Sequence, residues 1–350
     1  MDVMKQSQLL MSLPQDVKTG LQGAGLVLSS SVSVSVLAEG LSNQNYLIRD
    51  RHVSWVLRVN SSASSQICDR DAEVKNWKIA AEQGLAPDLY FVSDDKKYYL
   101  SEFIEQEQGH SWGKLITAKS AHPLIDESIS WPGAESALLR LLTQLAGLEC
   151  PKNSLSVSRQ WSIYQASMYD IWSKICNGQA QGDECRQHRE WREKHLQLLS
   201  LRDDISQWLD ELDACALGEQ YSHRDLNPHN LLFKHGRLQC IDFEYACSSH
   251  PLFDLAGVLS SHTLSTAQRH FLIDAYLDNH PNLTLDAKAA LPAAINIYWV
   301  FSACWSLLMA ADAETEIEGA EILDLPRDSS SEHGLKYLDC FSQFYSLILP

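Results

Sequence analysis

The sequence predicts an α+β chain in two parts: a small antiparallel-sheet part over residues 1–105 and a mainly helical part over 106–350. Three observations predict it. Ser31 to Leu37 alternates serine with valine, the period-two pattern of a half-buried strand, and 46–49 and 53–59 read as two further strands. From residue 134 onward apolar residues recur at helical intervals instead. Two short strand-like runs, 231–233 and 239–243, interrupt those helices.

Taken in order, Gly40 to Asn45 is a polar turn with a single glycine, and Asp50-Arg51-His52 turns the next strand pair. The serine-rich 61–65 stretch is a loop. Residues 69–83 then carry Val74, Trp77 and Ala81 at helical spacing, with Gly84 placed to cap the C-terminus. A hairpin over 89–92 and 98–100 completes the first part. In the second, helices are expected over 134–148, 161–176, 184–201 and 204–212, and again from Asp254 nearly to the end. The 113–132 segment shows no readable pattern.

A chain of 350 residues with 45% hydrophobic and 21% charged residues has material for a sizeable core. Its net charge of -17 argues against a nucleic-acid partner, which requires a basic face, and suits a cationic small molecule. The nine cysteines are odd in number and scattered, without a Cys-x-x-Cys pair. They form neither a disulfide framework nor a zinc site and read as free thiols of a reducing cytosol. No apolar run of signal-peptide length opens the chain. The longest apolar region, Ile295 to Ala311, contains Asn296, Ser302 and Ser306 and reads as a buried helix, too short for a span. A cytoplasmic protein with no membrane partner is expected, its oligomeric state unknown.

The chemistry concentrates in two blocks, YSHRDLNPHN over 221–230 and LQCIDFEY over 238–245. Asp225 and Asn230 are separated by four residues on a loop, and Asp242 is expected at the end of a short apolar strand. Phosphoryl transfer from ATP needs a carboxylate beside the attacking hydroxyl and oxygen ligands that hold magnesium against the phosphates. Asp225 suits the first role, Asn230 and Asp242 the second. The competing explanation is a polar loop with chance carboxylates; spacing, residue type and strand context together favour the first.

These blocks resemble the choline kinase and aminoglycoside phosphotransferase superfamily, which shares its fold core with protein kinases. The IDFEYA run over 241–246 is most similar to the choline/ethanolamine kinase and bacterial thiamine kinase branch. The resemblance covers about 40–259. It implies a two-lobed protein-kinase-like fold using ATP and Mg2+, with Asp225 as the catalytic aspartate and Asn230 and Asp242 as metal ligands. It also implies that His223 steadies the catalytic loop and that Asp254 braces it; an N-cap role for Asp254 stays open. A protein kinase fits less well, because the turn at Gly40 has one glycine and only eleven residues separate Asp242 from Asp254.

In the first part, Gly40 to Tyr46 resembles the family's phosphate loop, with Ser42, Asn43 and Asn45 replacing a glycine-rich cover, although such turns are also common hairpin tips. Arg58 stands where kinases place their phosphate-binding lysine, and its planar fork can hold two phosphate oxygens. Glu73 is its natural partner, or else a solvated helix charge. Glu102, Phe103 and Ile104 resemble the interlobe hinge that meets adenine through backbone groups.

Tyr298, Phe301 and Trp305 share one helix face at i, i+3 and i+7, with Trp299 on the adjacent one. Such a stripe is more often core. The resemblance implies instead an acceptor wall made with Asp225, Glu244, Tyr298, Trp299 and Trp305. Choline kinases typically carry Trp-x-x-Trp here, and Ser302 stands where the first tryptophan would fall; Ser261-His262 replaces their Glu-Trp pair. These departures count against choline itself and leave a related amino alcohol or thiamine open; the resemblance as a whole implies a small cationic metabolite of choline, ethanolamine or thiamine type. An aminoglycoside-type antibiotic kinase and a catalytically inactive nucleotide-binding module are the alternatives. His229 and His250 read as polar loop residues, and Trp191 with His195 as a packed helix pair.

Overall fold

The computed structural model of the protein describes residues 13–26, 32–39, 43–50, 53–60, 68–106, 112–113, 131–178, 185–312 and 330–349. The turn at Gly40, the candidate Ser42, the Arg51-His52 turn, the 61–65 loop and most of 113–132 lie outside the described residues.

Five antiparallel strands form the first sheet in the order β1-β2-β3-β5-β4: β1 Ser33–Glu39, β2 Asn43–Asp50, β3 Val53–Asn60, β4 Leu89–Val92 and β5 Tyr98–Glu102. The register pairs Tyr46 with Leu57 and Ile48 with Trp55, so these residues share one face; Val56 and Arg58, the latter opposite Tyr99, point to the other. The apolar face is covered by helix α1, Gln15–Gly23, which the sequence pattern did not predict. Only Val17 and Leu21 within it are buried, with Leu13 and Leu26 at its flanks completing the contact. Gly20 lets this helix lie close, because a Cβ there would stand 1.9 Å from the Phe91 ring.

Helix α2, Arg70–Glu82, packs Trp77 and Ala80 into the large core of the helical part. Asp69 caps it, accepting the backbone N–H groups of Asp71 and Ala72 at 3.1 and 3.0 Å, and Gly84 ends it at a φ of +69°. The helical part comprises α3 Ala134–Ala146, α4 Val157–Gly178, α5 Arg186–Ser200, α6 Arg202–Cys215, α7 Leu252–Ser261, α8 Thr266–Leu277, α9 Ala287–Asp312 and α10 Ser330–Tyr345. Two small ribbons sit among them: β6 Gln220–Ser222 with β9 Cys247–Ser249, and β7 Leu231–Lys234 with β8 Arg237–Cys240.

Three expectations need correction. Strand β8 stops at Cys240, two residues short of Asp242, because Asp242 takes a left-handed φ of 68° that no ladder accommodates. Helix α7 begins at Leu252, which puts Asp254 inside its first turn and removes it from the N-cap, held by Pro251. The late apolar helix is longer than 295–311. It runs over Ala287–Ala311 with the length and composition to cross a membrane; its most apolar window has a mean hydropathy of 1.5, yet 78% of that window is buried within the molecule. It is the axis of the large core, packed against α6, α7 and α10.

Candidate active site

The 223–230 loop leaves β6 and ends in a 3-10 turn, Pro228–Asn230, capped by Asn227, whose Oδ1 accepts the His229 N–H at 2.9 Å. Two positions hold the loop against the helical part. Asp254 accepts the backbone N–H groups of His223 (2.9 Å) and Arg224 (2.7 Å). Arg224, at a φ of 69°, stacks on Phe253 at 4.6 Å and donates to the Leu155 carbonyl at 3.2 Å and to Gln160. The His223 ring lies 3.1 Å from the Ile241 carbonyl, linking this loop to the one that carries Asp242.

Asp225 is thereby presented at the cleft floor. Its Oδ1 accepts Asn227 Nδ2 at 2.8 Å and its Oδ2 accepts Asn230 Nδ2 at 2.6 Å. Burial raises its pKa to about 6; the two amide donors oppose the shift, and Asp242 adds to it. A carboxyl near that value is ionised at neutral pH and basic enough to take a hydroxyl proton. Asn230 spends its Nδ2 on Asp225, which leaves its Oδ1 as the atom available to an ion.

Arg58 stands across the cleft, buried among three carboxylates. Its Nη1 is 3.0 Å from Asp242 Oδ1 and 3.2 Å from Glu73 Oε1, its Nη2 is 3.4 Å from Glu244 Oε2, and Nε donates to Asn60 at 2.8 Å. Burial opposes its charge, but Asp242, Glu73 and Glu244 outweigh that and raise its pKa, so it stays cationic. Glu73 stands behind the cleft wall, its Oε2 held by Arg70 at 2.7 Å and by the Tyr99 hydroxyl at 3.1 Å. Burial, with Asp242 beside it, lifts Glu244 to about 7 against the pull of Arg58 and Arg70. Glu244, expected on the acceptor wall, lines the cleft from within the arginine cluster, its side chain 6% exposed.

A cleft of about 1090 Å³ joins these groups. Asn43, Asn45, Arg58, Glu102, Phe103 and Ile104 line its sheet side. Asp225, Asn230, Asp242 and Glu244 line the floor. Tyr298, Trp299, Phe301 and Trp305 line the far wall while remaining packed in the core, so the aromatic stripe is core and wall at once. Trp299 stacks on Phe344 at 5.8 Å, Phe301 meets Tyr164 and Phe253 at 5.3 and 5.9 Å, and Trp305 sets its edge against Tyr337 at 5.6 Å. Tyr164, Tyr245 and Phe253 also line the cleft. Sequence reasoning missed them, since each comes from a different segment and no spacing connects them.

Magnesium takes oxygen ligands and commonly arrives with only one or two from the protein, the rest supplied by phosphate and water. Asn230 Oδ1 and the Asp242 carboxylate, 28% exposed toward the cleft, fit that donor set. Among the described residues no cluster of three or more His, Cys, Asp or Glu forms a closed metal cage. The remaining sequence candidates are placed plainly. Trp191 and His195 pack at 5.1 Å, His250 is buried with its Nε2 2.9 Å from the Leu212 carbonyl, and His229 is exposed.

Fold and cleft together define a class, the small-molecule kinases built on the two-lobed protein-kinase plan. The chain belongs to the phosphotransferase enzyme family (APH), whose family model matches residues 33–285. It is 25% identical over 242 residues to protein LicA of Haemophilus influenzae, a match covering 68% of this chain and 60% of that relative's length. Among solved structures it is similar to choline kinase LicA from Streptococcus pneumoniae, at a TM-score of 0.55 and 16% identity over 94% of this chain and 97% of that one. It is also similar to ADP-bound aminoglycoside phosphotransferase APH(2'')-Ib, at a TM-score of 0.51 and 16% identity over 95% and 99% of the two chains.

Proposed function

We propose that the chain transfers the γ-phosphoryl group of Mg-ATP to a hydroxyl of a small cationic metabolite of the choline, ethanolamine or thiamine type. The observation that carries this reading is the convergence on one cleft of Asp225, the Arg58–Asp242 pair and an aromatic wall. The likeness to a choline kinase and to an ADP-bound phosphotransferase supports it.

Bound magnesium and nucleotide supply the electrophilic phosphoryl group and the charge that screens it. Asn230 and Asp242 would hold the metal, and Arg58 the phosphates. Asp225, its oxygens fixed by Asn227 and Asn230, orients the acceptor hydroxyl and takes its proton. The rings of Tyr298, Phe301 and Trp305 attract a cation through their faces and exclude water.

A polycationic antibiotic would need several free carboxylates on the acceptor side. Among the described lining residues the acids are Glu102 at the sheet edge, Asp225, and Asp242 and Glu244 beside Arg58. Among the described lining residues, Asp225 is the acid whose charge acts on Tyr298 of the aromatic wall, which favours an acceptor with a single cation. ATP consumption measured across choline, ethanolamine, thiamine, aminoglycosides, fructosamines and methylthioribose tests this. Turnover on an amino alcohol or thiamine is expected. Turnover confined to aminoglycosides would replace the acceptor class, and turnover on none would favour an inactive module.

A further inference from the structure

We infer that Arg70 is a positioning residue for the nucleotide site: it occupies Glu73 and Glu244 so that Arg58 is available to phosphate. The inference rests on the Mg-ATP reading above and adds a residue to it.

Arg58 is surrounded by more carboxyl oxygens than one guanidinium can serve. Three carboxylates lie within 3.4 Å of it. A cation neutralised by three acids is poorly disposed to leave them for phosphate. Arg70 alters that balance. Its Nη1 lies 2.7 Å from Glu73 Oε2 and 3.6 Å from Glu244 Oε2, so it shares two of the three acids with Arg58. Both arginines are buried, at 7% side-chain exposure, where such contacts are screened little by water.

The geometry at Glu73 shows what this arrangement provides. Its Oε2 is fixed by Arg70 and by the Tyr99 hydroxyl. Its Oε1 is buried and lies 3.2 Å from Arg58 Nη1 without hydrogen-bond alignment. Arg58 directs its aligned bonds to Asp242, Glu244 and Asn60 instead. Arg70 thus holds Glu73 by the oxygen that faces away from Arg58, and leaves Oε1 without an aligned bond to it. Without Arg70, Glu73 and Glu244 would both close on Arg58 and compete with the phosphates. Helix α2 makes the arrangement possible, since Arg70 and Glu73 stand at i and i+3 in its first turn.

The test is calorimetric titration of the full chain with Mg-ATP, in wild type and in Arg70→Met, Arg70→Gln and Arg70→Lys, alongside melting temperature and steady-state kinetics. Arg70→Met is expected to weaken Mg-ATP binding about tenfold and to raise KM for ATP more than it lowers kcat. Arg70→Lys should restore affinity to within about threefold, because both ion pairs come from one nitrogen that an ammonium can replace. Arg70→Gln removes the charge while keeping a donor for Glu73, and serves if the Met variant does not fold; the same tenfold loss is expected. A folded, charge-free variant with wild-type Mg-ATP affinity and only a lower melting temperature overturns the inference. Failure of the wild type itself to bind Mg-ATP would instead remove the nucleotide reading on which it rests.

Discussion

Asp254 Oδ1 accepts the backbone N–H of Arg224 at 2.7 Å, and Arg224 holds a φ of 69°. A helix residue thus fixes the strained residue immediately before Asp225, with Oδ2 fixing His223 alongside. Asp254→Asn replaces one of these oxygens by an amide that faces an N–H. An unpaired buried donor costs about 1–3 kcal/mol, so the melting temperature should fall by several degrees. Turnover should fall as well, because the loop that aims Asp225 loses a bond. Wild-type kcat in the folded variant would show that the brace does not matter for catalysis.

Asp225 is expected to set the acid limb of the pH profile. With its carboxyl near 6, kcat/KM should be flat above that pH and fall tenfold per unit below it, as the base becomes protonated. The stability effect has the opposite sign. The native state binds this proton more tightly than the unfolded chain, whose carboxyl titrates near 3.8. The residue's contribution to stability is therefore lost as pH rises from about 4 to 6. Asp225→Ala should remove that slope from the melting profile and lower kcat by about 10²–10⁴-fold. Parallel melting curves for the two proteins across the window would place the ionisation elsewhere.

Asp242→Asn is expected to weaken Mg-ATP binding more than Asp225→Ala does, because a metal ligand is worth several kcal/mol of charge stabilisation. It also releases Arg58 from a 3.0 Å ion pair, so nucleotide binding without magnesium should suffer less. Titration with and without the metal separates the two effects. Equal Mg-ATP affinity in the two variants would take Asp242 out of the metal site.

Trp305→Phe distinguishes wall from packing. A ring over a desolvated cation contributes about 0.5–2 kcal/mol, so losing Trp305 would raise the acceptor KM roughly 2- to 30-fold if it faces the ligand, and the Phe variant, which keeps a weaker ring, should raise it by less. Its edge contact with Tyr337 predicts some loss of melting temperature in either case. A lower melting temperature with unchanged acceptor KM would leave Trp305 as core alone.

The parts legible in the sequence are those whose chemistry is local. Asp225 and Asn230 share one loop, and helix α2 announces itself through its apolar spacing and its terminal Gly84. Helix α1 was not legible, since two buried apolar residues and two glycines make a weak periodic signal that only the sheet beneath it completes. The left-handed turn at Asp242 was hidden for a similar reason: nothing in IDFE marks a positive φ, which is imposed by contacts from elsewhere. Glu244 and Arg70 could not be placed in one cluster because they lie far apart along the chain and meet only when β3 and α2 close over the 241–246 loop.

The chain passes from the sheet to the helical part once, and the passage is short. Phe103 still donates to Ser54 in β3 at 3.4 Å, while the Gln106 side chain already accepts the backbone N–H groups of Trp112 and Phe233 at 3.3 and 3.4 Å. Between these anchors lie Ile104 and Glu105. Helix α2 joins the two parts a second time: Trp77 stacks on Phe243 at 5.8 Å, Tyr221 donates its hydroxyl to the Asn76 carbonyl at 2.9 Å, and the Cys240 N–H donates to the Leu85 carbonyl at 2.7 Å. Any change in the angle between sheet and helices must therefore either break these contacts or carry α2 along with the helical part. Glu73 travels with α2, so such a motion would part Arg58 from Glu73 as well as from Asp242.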